Sequence, residues 1–115
     1  MTFERYAVVR VPFPFTDRTA TKNRPALVLS APEAFNTPAG HSVMAMITSE
    51  GSAPWPLDCP VGDLTSAGLP APSTVRFKLF TLDHRLVRGE IGKLAVADAE
   101  RVSAGLAEIL GQRDL

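Results

Sequence analysis

The stretch Pro12 to Ser30, PFPFTDRTATKNRPALVLS, sets Arg18, Lys22 and Arg24 in and beside a polar segment, and Arg24 leads directly into Pro25 and an apolar run. A guanidinium is a planar fork that meets two oxygens with parallel hydrogen bonds and keeps its charge near neutral pH. Cations so placed suit an anion. The rest of the chain divides by charge in the same sense. Residues 1–24 carry five cations against Glu4 and Asp17, and residues 76–93 carry Arg76, Lys78, Arg85, Arg88 and Lys93 against Asp83 and Glu90. Between Pro25 and Val75 there is no Lys or Arg, only Glu33, Glu50, Asp58 and Asp63. If the two basic segments meet in the fold, they form a positive patch of the kind that meets a phosphate chain; scattered, solvated charge is the competing reading. Small hydroxyls stand at Thr48 and Ser49, and the groups able to move a proton near the basic segments are Asp17, Asp83 and His84. Cys59 is alone, which excludes an internal disulfide and a cysteine-based zinc cluster.

The elements that must position these groups are short. With 115 residues, 45% of them hydrophobic, and ten prolines, the expectation for residues 1–115 is a single domain of many short elements joined by tight turns. Net charge is zero, which argues against indiscriminate binding of nucleic acid. No apolar stretch approaches the ~18 residues of a membrane span, and MTFERY lacks a basic-then-apolar leader pattern, so the expected setting is cytoplasmic.

Tyr6 to Phe13 reads as a strand whose end lies at a sheet edge, because Pro12 has no N–H to offer. Thr16 to Asn23 reads as a loop, and PALVLS as a central strand buried on both sides. APEAFN fits one helical turn, broken by Thr37, Pro38 and Gly40. HSVMAMITSE alternates, with Val43, Ala45 and Ile47 on one face and Met44, Met46 and Thr48 on the other. A short strand is expected around Trp55 to Cys59, then a helix-poor connection over Gly62 to Pro72. STVRFKLF and RLVRGEIGKL read as two strands joined through TLDH. Leu94, Val102, Leu106, Ile109 and Leu110 form a helical stripe with Gly111 as C-terminal cap and Asp98 and Glu100 in the first turn, but Ala95 and Val96 supply no side-chain N-cap. Phe13 and Phe15 are expected to plug the end of the sheet, and Trp55, between two prolines, to be exposed enough to stack on a base, meet a partner or lie in an interface. The fold class is mainly β with a C-terminal α-helix, a small, strongly bent sheet or barrel.

In this order the motifs resemble the PemK/MazF family, the toxin component of type II toxin–antitoxin pairs. VVRVPFPFTD is similar to the family's opening strand and loop, NRPALVLS to its Arg-Pro strand and AMITS to its central Thr/Ser strand. GLPAPSTVRFKLFTLD and IGKL with the terminal helix resemble its second half. The resemblance implies an SH3-like barrel that forms a homodimer, cuts single-stranded RNA without a metal ion or other cofactor, and is inhibited by a cognate antitoxin whose tail occupies the RNA groove.

It also implies roles. Arg24 matches the family's catalytic arginine, which would stabilise the charge that builds on phosphorus-bound oxygens during attack by the ribose 2′-oxygen. Thr48 matches a catalytic threonine, with Ser49 as its neighbour. Arg76 matches an arginine used for acid or phosphate-binding work. By their charge, and not by the resemblance, Arg18, Lys22 and Lys78 would hold RNA. Two departures stand out: Lys78 occupies the position of an aspartate regarded as the base, and Tyr6-Ala7 replaces a Gly-Asp step. Asp83 and His84 are the remaining acid–base candidates; a turn-capping role explains Asp83 equally well, and an exposed turn residue is the favoured reading of His84 over catalysis. Two alternatives stay open: a barrel that binds RNA or a partner without cutting, and a gyrase-directed toxin of the same fold.

Overall fold

The structure, a computed structural model, describes residues 2–13, 22–49, 51 and 53–112. Six strands form one curled antiparallel sheet: β1 (Ala7–Phe13), β2 (Lys22–Val28), β3 (His41–Ser49), β4 (Cys59–Pro60), β5 (Ser73–Asp83) and β6 (Gly89–Lys93), in the spatial order β4-β5-β3-β2-β1-β6. A π-helical turn over Pro32–Asn36 runs into α1 (Thr37–Ala39); α2 (Leu64–Ala67) is a single turn; α3 (Val96–Ile109) is the one long helix among the described residues. None of these helices is long and apolar enough to cross a membrane.

The sheet is apolar on both faces, and period-two alternation sorts the strands between them. Val8, Leu27, Ala45, Ile47, Val75 and Phe77 face α3 and pack with Leu94 and Val102. Ala7, Val9, Val11, Ala26, Val28, Met44 and Leu82 fill the opposite face with Phe3. The expected alternation of β3 and the double-sided burial of the PALVLS run are both present: Ala26, Leu27 and Val28 are fully buried. Against β3, the register of β5 jumps from Ala45↔Leu79 to Met46↔Arg76, so β5 carries two surplus residues, Phe77 and Lys78. An even number of surplus residues leaves the alternation intact.

Several expectations are corrected. β2 begins at Lys22, inside the presumed loop, and Lys22 and Asn23 pair with Phe13 and Pro12. The helical turn after Ala31 continues through Ala39 and ends at Gly40, whose φ is 64°. The Gly62–Pro72 connection contains α2, capped by Asp63, which accepts from the Ser66 N–H at 3.0 Å. That turn lies directly on β6: a Cβ on Gly68 (φ +71°) would stand 1.9 Å from the Ile91 carbonyl oxygen, and one on Gly92 would stand 2.4 Å from the Ala67 carbonyl carbon. Only glycine permits this backbone-to-backbone contact. β5 runs on through Thr81, Leu82 and Asp83, so TLD is strand rather than connector. The strand near Trp55 shrinks to Cys59–Pro60. Ile109 and Leu110 are exposed, and Phe13 is 42% exposed rather than a plug. Phe15 lies outside the described residues.

α3 lacks a side-chain N-cap, as the sequence indicates, and ends in a Schellman motif: the Gln112 N–H reaches the Ala107 carbonyl at 2.7 Å and the Gly111 N–H that of Glu108 at 3.1 Å. Its first turn is tied to the sheet instead. Asp98, buried, accepts the N–H groups of Gly62 (2.9 Å) and Asp63 (3.0 Å) and pairs with Arg101, whose Nη2 also donates to the Pro60 carbonyl at 3.0 Å. Burial alone would raise the Asp98 pKa, but these donors overcome it and hold the carboxyl below its ordinary value.

A depressed folded-state pKa gives stability that is fully present above the unfolded value, about 3.9, and lost as pH falls through the folded one. Asp98→Asn should therefore lower stability by about 2 kcal/mol at pH 7 and flatten the loss of stability below about pH 4. Urea melts of both proteins at pH 7 and pH 3 measure this; equal pH dependence would refute the latch.

Candidate functional site

Where the cover over the second face runs out, its alternation delivers polar side chains. β2 continues back from Ala26 to Arg24, β3 forward from Met46 to Thr48, and β5 back from Phe80 to Lys78 and Arg76, each in steps of two. Met46 pairs with Ala26 on one side and with Arg76 on the other, so these steps converge on one end of the sheet. A cavity of about 180 Å³ is lined there by Phe13, Arg24, Met46, Ile47, Thr48, Arg76 and Lys78.

The three cations are held differently. Arg24 is exposed and its guanidinium carbon lies 5.4 Å over the ring of Phe13, which pairs with Lys22 across the β1–β2 ladder. Such a contact at an exposed site is worth about 0.5–1 kcal/mol. Arg76 is clamped. Its Nε donates to Asp58 Oδ1 at 3.2 Å and its Nη2 to Asp58 Oδ2 at 2.9 Å, while Nη2 also reaches the Ala53 carbonyl at 2.7 Å. Hydrogen bonding from Arg76 holds the Asp58 carboxyl below its ordinary value, against the burial that would raise it. The Lys78 ammonium rests 4.6 Å over the Trp55 indole. The exposure expected of Trp55 is found, and its ring carries a cation.

Thus Arg24, Thr48, Arg76 and Lys78 stand together. Ser49, the next residue of β3, points to the other face and is exposed. Lys22 begins β2 two residues before Arg24, on the same face of the strand. Arg18 and Asp17 lie outside the described residues. Asp83 and His84 are not brought to the cavity, since Asp83 pairs with His41 at the far end of the β3–β5 ladder and Thr48 pairs with Thr74 at the near end. Asp83 accepts from the side chain and N–H of Arg85, and these bonds hold its carboxyl far below the ordinary range. His84, expected as an exposed turn residue, is buried: its Nε2 is 2.8 Å from Ser42 Oγ and its ring meets Phe3 edge-on at 5.1 Å. Asp58 was missed as a site residue. Its partner is eighteen positions away in sequence, and only strand register could have placed the two together. Among the described residues no three His, Cys, Asp or Glu side chains are grouped as metal ligands.

The family model of the PemK-like, MazF-like toxin of type II toxin–antitoxin systems matches residues 4–110, and the chain belongs to that family. No curated protein is similar enough in sequence to count as a match. Among solved structures, the chain resembles a MazE–MazF complex of Deinococcus radiodurans at 20% identity and a TM-score of 0.76, covering 98% of this chain and 100% of that one. It also resembles an endoribonuclease in complex with its cognate antitoxin from a mycobacterial species (19% identity, TM-score 0.75, 99% and 98% covered). A mycobacterial endoribonuclease matches at 19% identity and a TM-score of 0.76, over 100% and 97% of the two chains. The curled sheet with its C-terminal helix is therefore the MazF-like fold.

His84→Ala should cost about 2–4 kcal/mol of stability, because it opens a cavity beside Phe3 and takes away the partner of the buried Ser42 hydroxyl. Thermal melting measures this; a shift of less than about 1 °C, well under the several degrees that 1 kcal/mol moves a domain of this size, would contradict the buried role.

Proposed function

We propose that this family member is a cytoplasmic toxin that cuts single-stranded RNA at the end of the sheet described above, by attack of a ribose 2′-oxygen on the adjacent phosphorus. The observation that carries this reading is the gathering of Arg24, Thr48, Arg76 and Lys78 around one cavity. A backbone phosphate fits cations of this number, and the half-buried Met46 between them makes their charge felt more strongly than in bulk water.

As the 2′-oxygen bonds to phosphorus and the 5′-oxygen departs, negative charge accumulates on the equatorial oxygens. Arg24 and the Thr48 hydroxyl donate hydrogen bonds to those oxygens, with Arg76 and Lys78 holding the flanking phosphate. The products are a 2′,3′-cyclic phosphate and a 5′-hydroxyl end. No step requires a metal ion. Because Lys78 stands where the family resemblance leads to an aspartate, no residue is assigned as proton acceptor. That same replacement favours the second reading, a basic surface that holds RNA without cutting it. The partners under the first reading are a second copy of the chain and a cognate antitoxin that covers the cationic end.

Incubation of the purified protein with a mixed-sequence transcript decides between the readings. Cleavage with cyclic phosphate ends, persisting in EDTA, supports the nuclease; retention of intact RNA on the protein supports the binder. Arg24→Ala should lower the cleavage rate by about 100- to 1,000-fold, in line with loss of one transition-state donor. Its thermal stability should change little, because Arg24 is exposed. Undiminished cleavage by this variant would overturn the assignment.

A further inference from the structure

Resting on the nuclease reading above, we propose that Asp58 is a positioning residue for that reaction: it grips one edge of Arg76 and so aims the guanidinium at the cavity that receives the phosphate. Asp58 and Arg76 form a two-point clamp, and their side chains are only 22% and 13% exposed. A carboxylate so held is a poor proton acceptor, so it does not replace the missing aspartate as a base. Its effect passes through Arg76.

The segment that brings Asp58 to Arg76 is built for the purpose. Trp55, Pro56, Leu57 and Asp58 form a β-turn: the Asp58 N–H donates to the Trp55 carbonyl at 3.2 Å, and Leu57 takes a φ of +63°. Proline at the second position and a positive φ at the third describe a type II turn, but one that places leucine where glycine is usual. A β-branchless but bulky residue in the left-handed region is strained, and it persists where the surroundings fix it. Here the fixing contacts are those of Asp58 itself. Its Oδ2 accepts the Trp55 N–H at 3.1 Å as well as Arg76, while the indole on the same turn receives Lys78. One strained turn therefore orients both cations of β5. A turn with no such task would be expected to carry glycine at the position of Leu57.

A guanidinium released from the clamp would still attract RNA but would sample many orientations. A misplacement of about 1 Å at a reacting centre can cost on the order of 100-fold in rate. Removal of the carboxylate also removes a negative charge from the site, so binding should hold or tighten. The clamp thus predicts a split between rate and affinity that simple destabilisation does not.

The test is a cycle of wild type, Asp58→Asn, Arg76→Ala and the double variant. Cleavage rate is measured on a transcript cut by the wild type, and Kd on single-stranded DNA of the same sequence, which lacks the 2′-hydroxyl nucleophile. Asp58→Asn is expected to lower kcat by about 10- to 100-fold with Kd unchanged or tighter, and to cause no further loss in the Arg76→Ala background. A rate equal to or above wild type, a Kd that weakens in step with kcat, or an equal loss in both backgrounds would each overturn the clamp. If the wild type cuts and Asp58→Asn cuts equally well, only the clamp falls. If the wild type cuts nothing, the nuclease reading falls and takes the clamp with it.

Discussion

Burial on both faces is the constraint on which this molecule rests. A one-residue slip turns every side chain of a strand to the opposite face, which here would exchange the members of the two apolar clusters and carry Arg24, Thr48 or Arg76 to the face that packs on α3. The same commitment that seats Ala26, Met44 and Leu82 on one side brings Arg24, Thr48, Arg76 and Lys78 to that side at its open end. β5 shows how strict it is. Phe77 and Lys78 are surplus against β3, yet as a pair they keep Phe77 among the core side chains and leave Arg76 and Lys78 on the opposite face. A single surplus residue would exchange phenylalanine for arginine in the core, at a cost no small domain could carry.

Around that end the cations differ in freedom. Arg76 and Lys78 are both engaged by the turn after β3, one through a carboxylate and the other through an aromatic face. Arg24 touches only an exposed ring among the contacts described. The arrangement separates groups whose direction is fixed by neighbours from one whose head can follow an incoming phosphate. Strand anchoring supplies the position of Arg24, since Pro25 follows it and Val11 pairs with it across the ladder.

Much of this could be read from the chain. The alternation of β3, the buried apolar run of β2 and the period of α3 are long signals, and Ala95 and Gly111 mark the helix ends as found. The motif order gives the family, and Arg24, Thr48, Arg76 and Lys78 do share a cavity. Failures came where a local pattern outlasts its surroundings. Ile109 and Leu110 keep the helical period yet are exposed, and Phe13 is a strand aromatic that is likewise exposed. α2 is four residues long, too short for periodicity, and is held by Asp63 and the Gly68–Gly92 approach. His84 has the local appearance of a turn residue, and only the arrival of Ser42 and Phe3 from elsewhere buries it. Tyr6 is the converse case. It takes a φ of +72°, a backbone conformation suited to the glycine that the family resemblance leads one to expect. It is kept there by hydrogen bonds from its N–H to Val28 and from Leu94 to its carbonyl, with Arg5 stacked on its ring.

The contact of α2 with β6 also bears on how the molecule avoids unwanted neighbours. β6 is an outer strand, and an outer strand offers a template on which a foreign chain can add itself. Here the Ile91 carbonyl is blocked by the backbone of Gly68, while the strand at the other rim, β4, is only two residues long. At that rim β5 runs on past β4, since only Thr74 and Val75 of its eleven residues are paired by it. The glycine pair thus closes part of the β6 rim to strand addition.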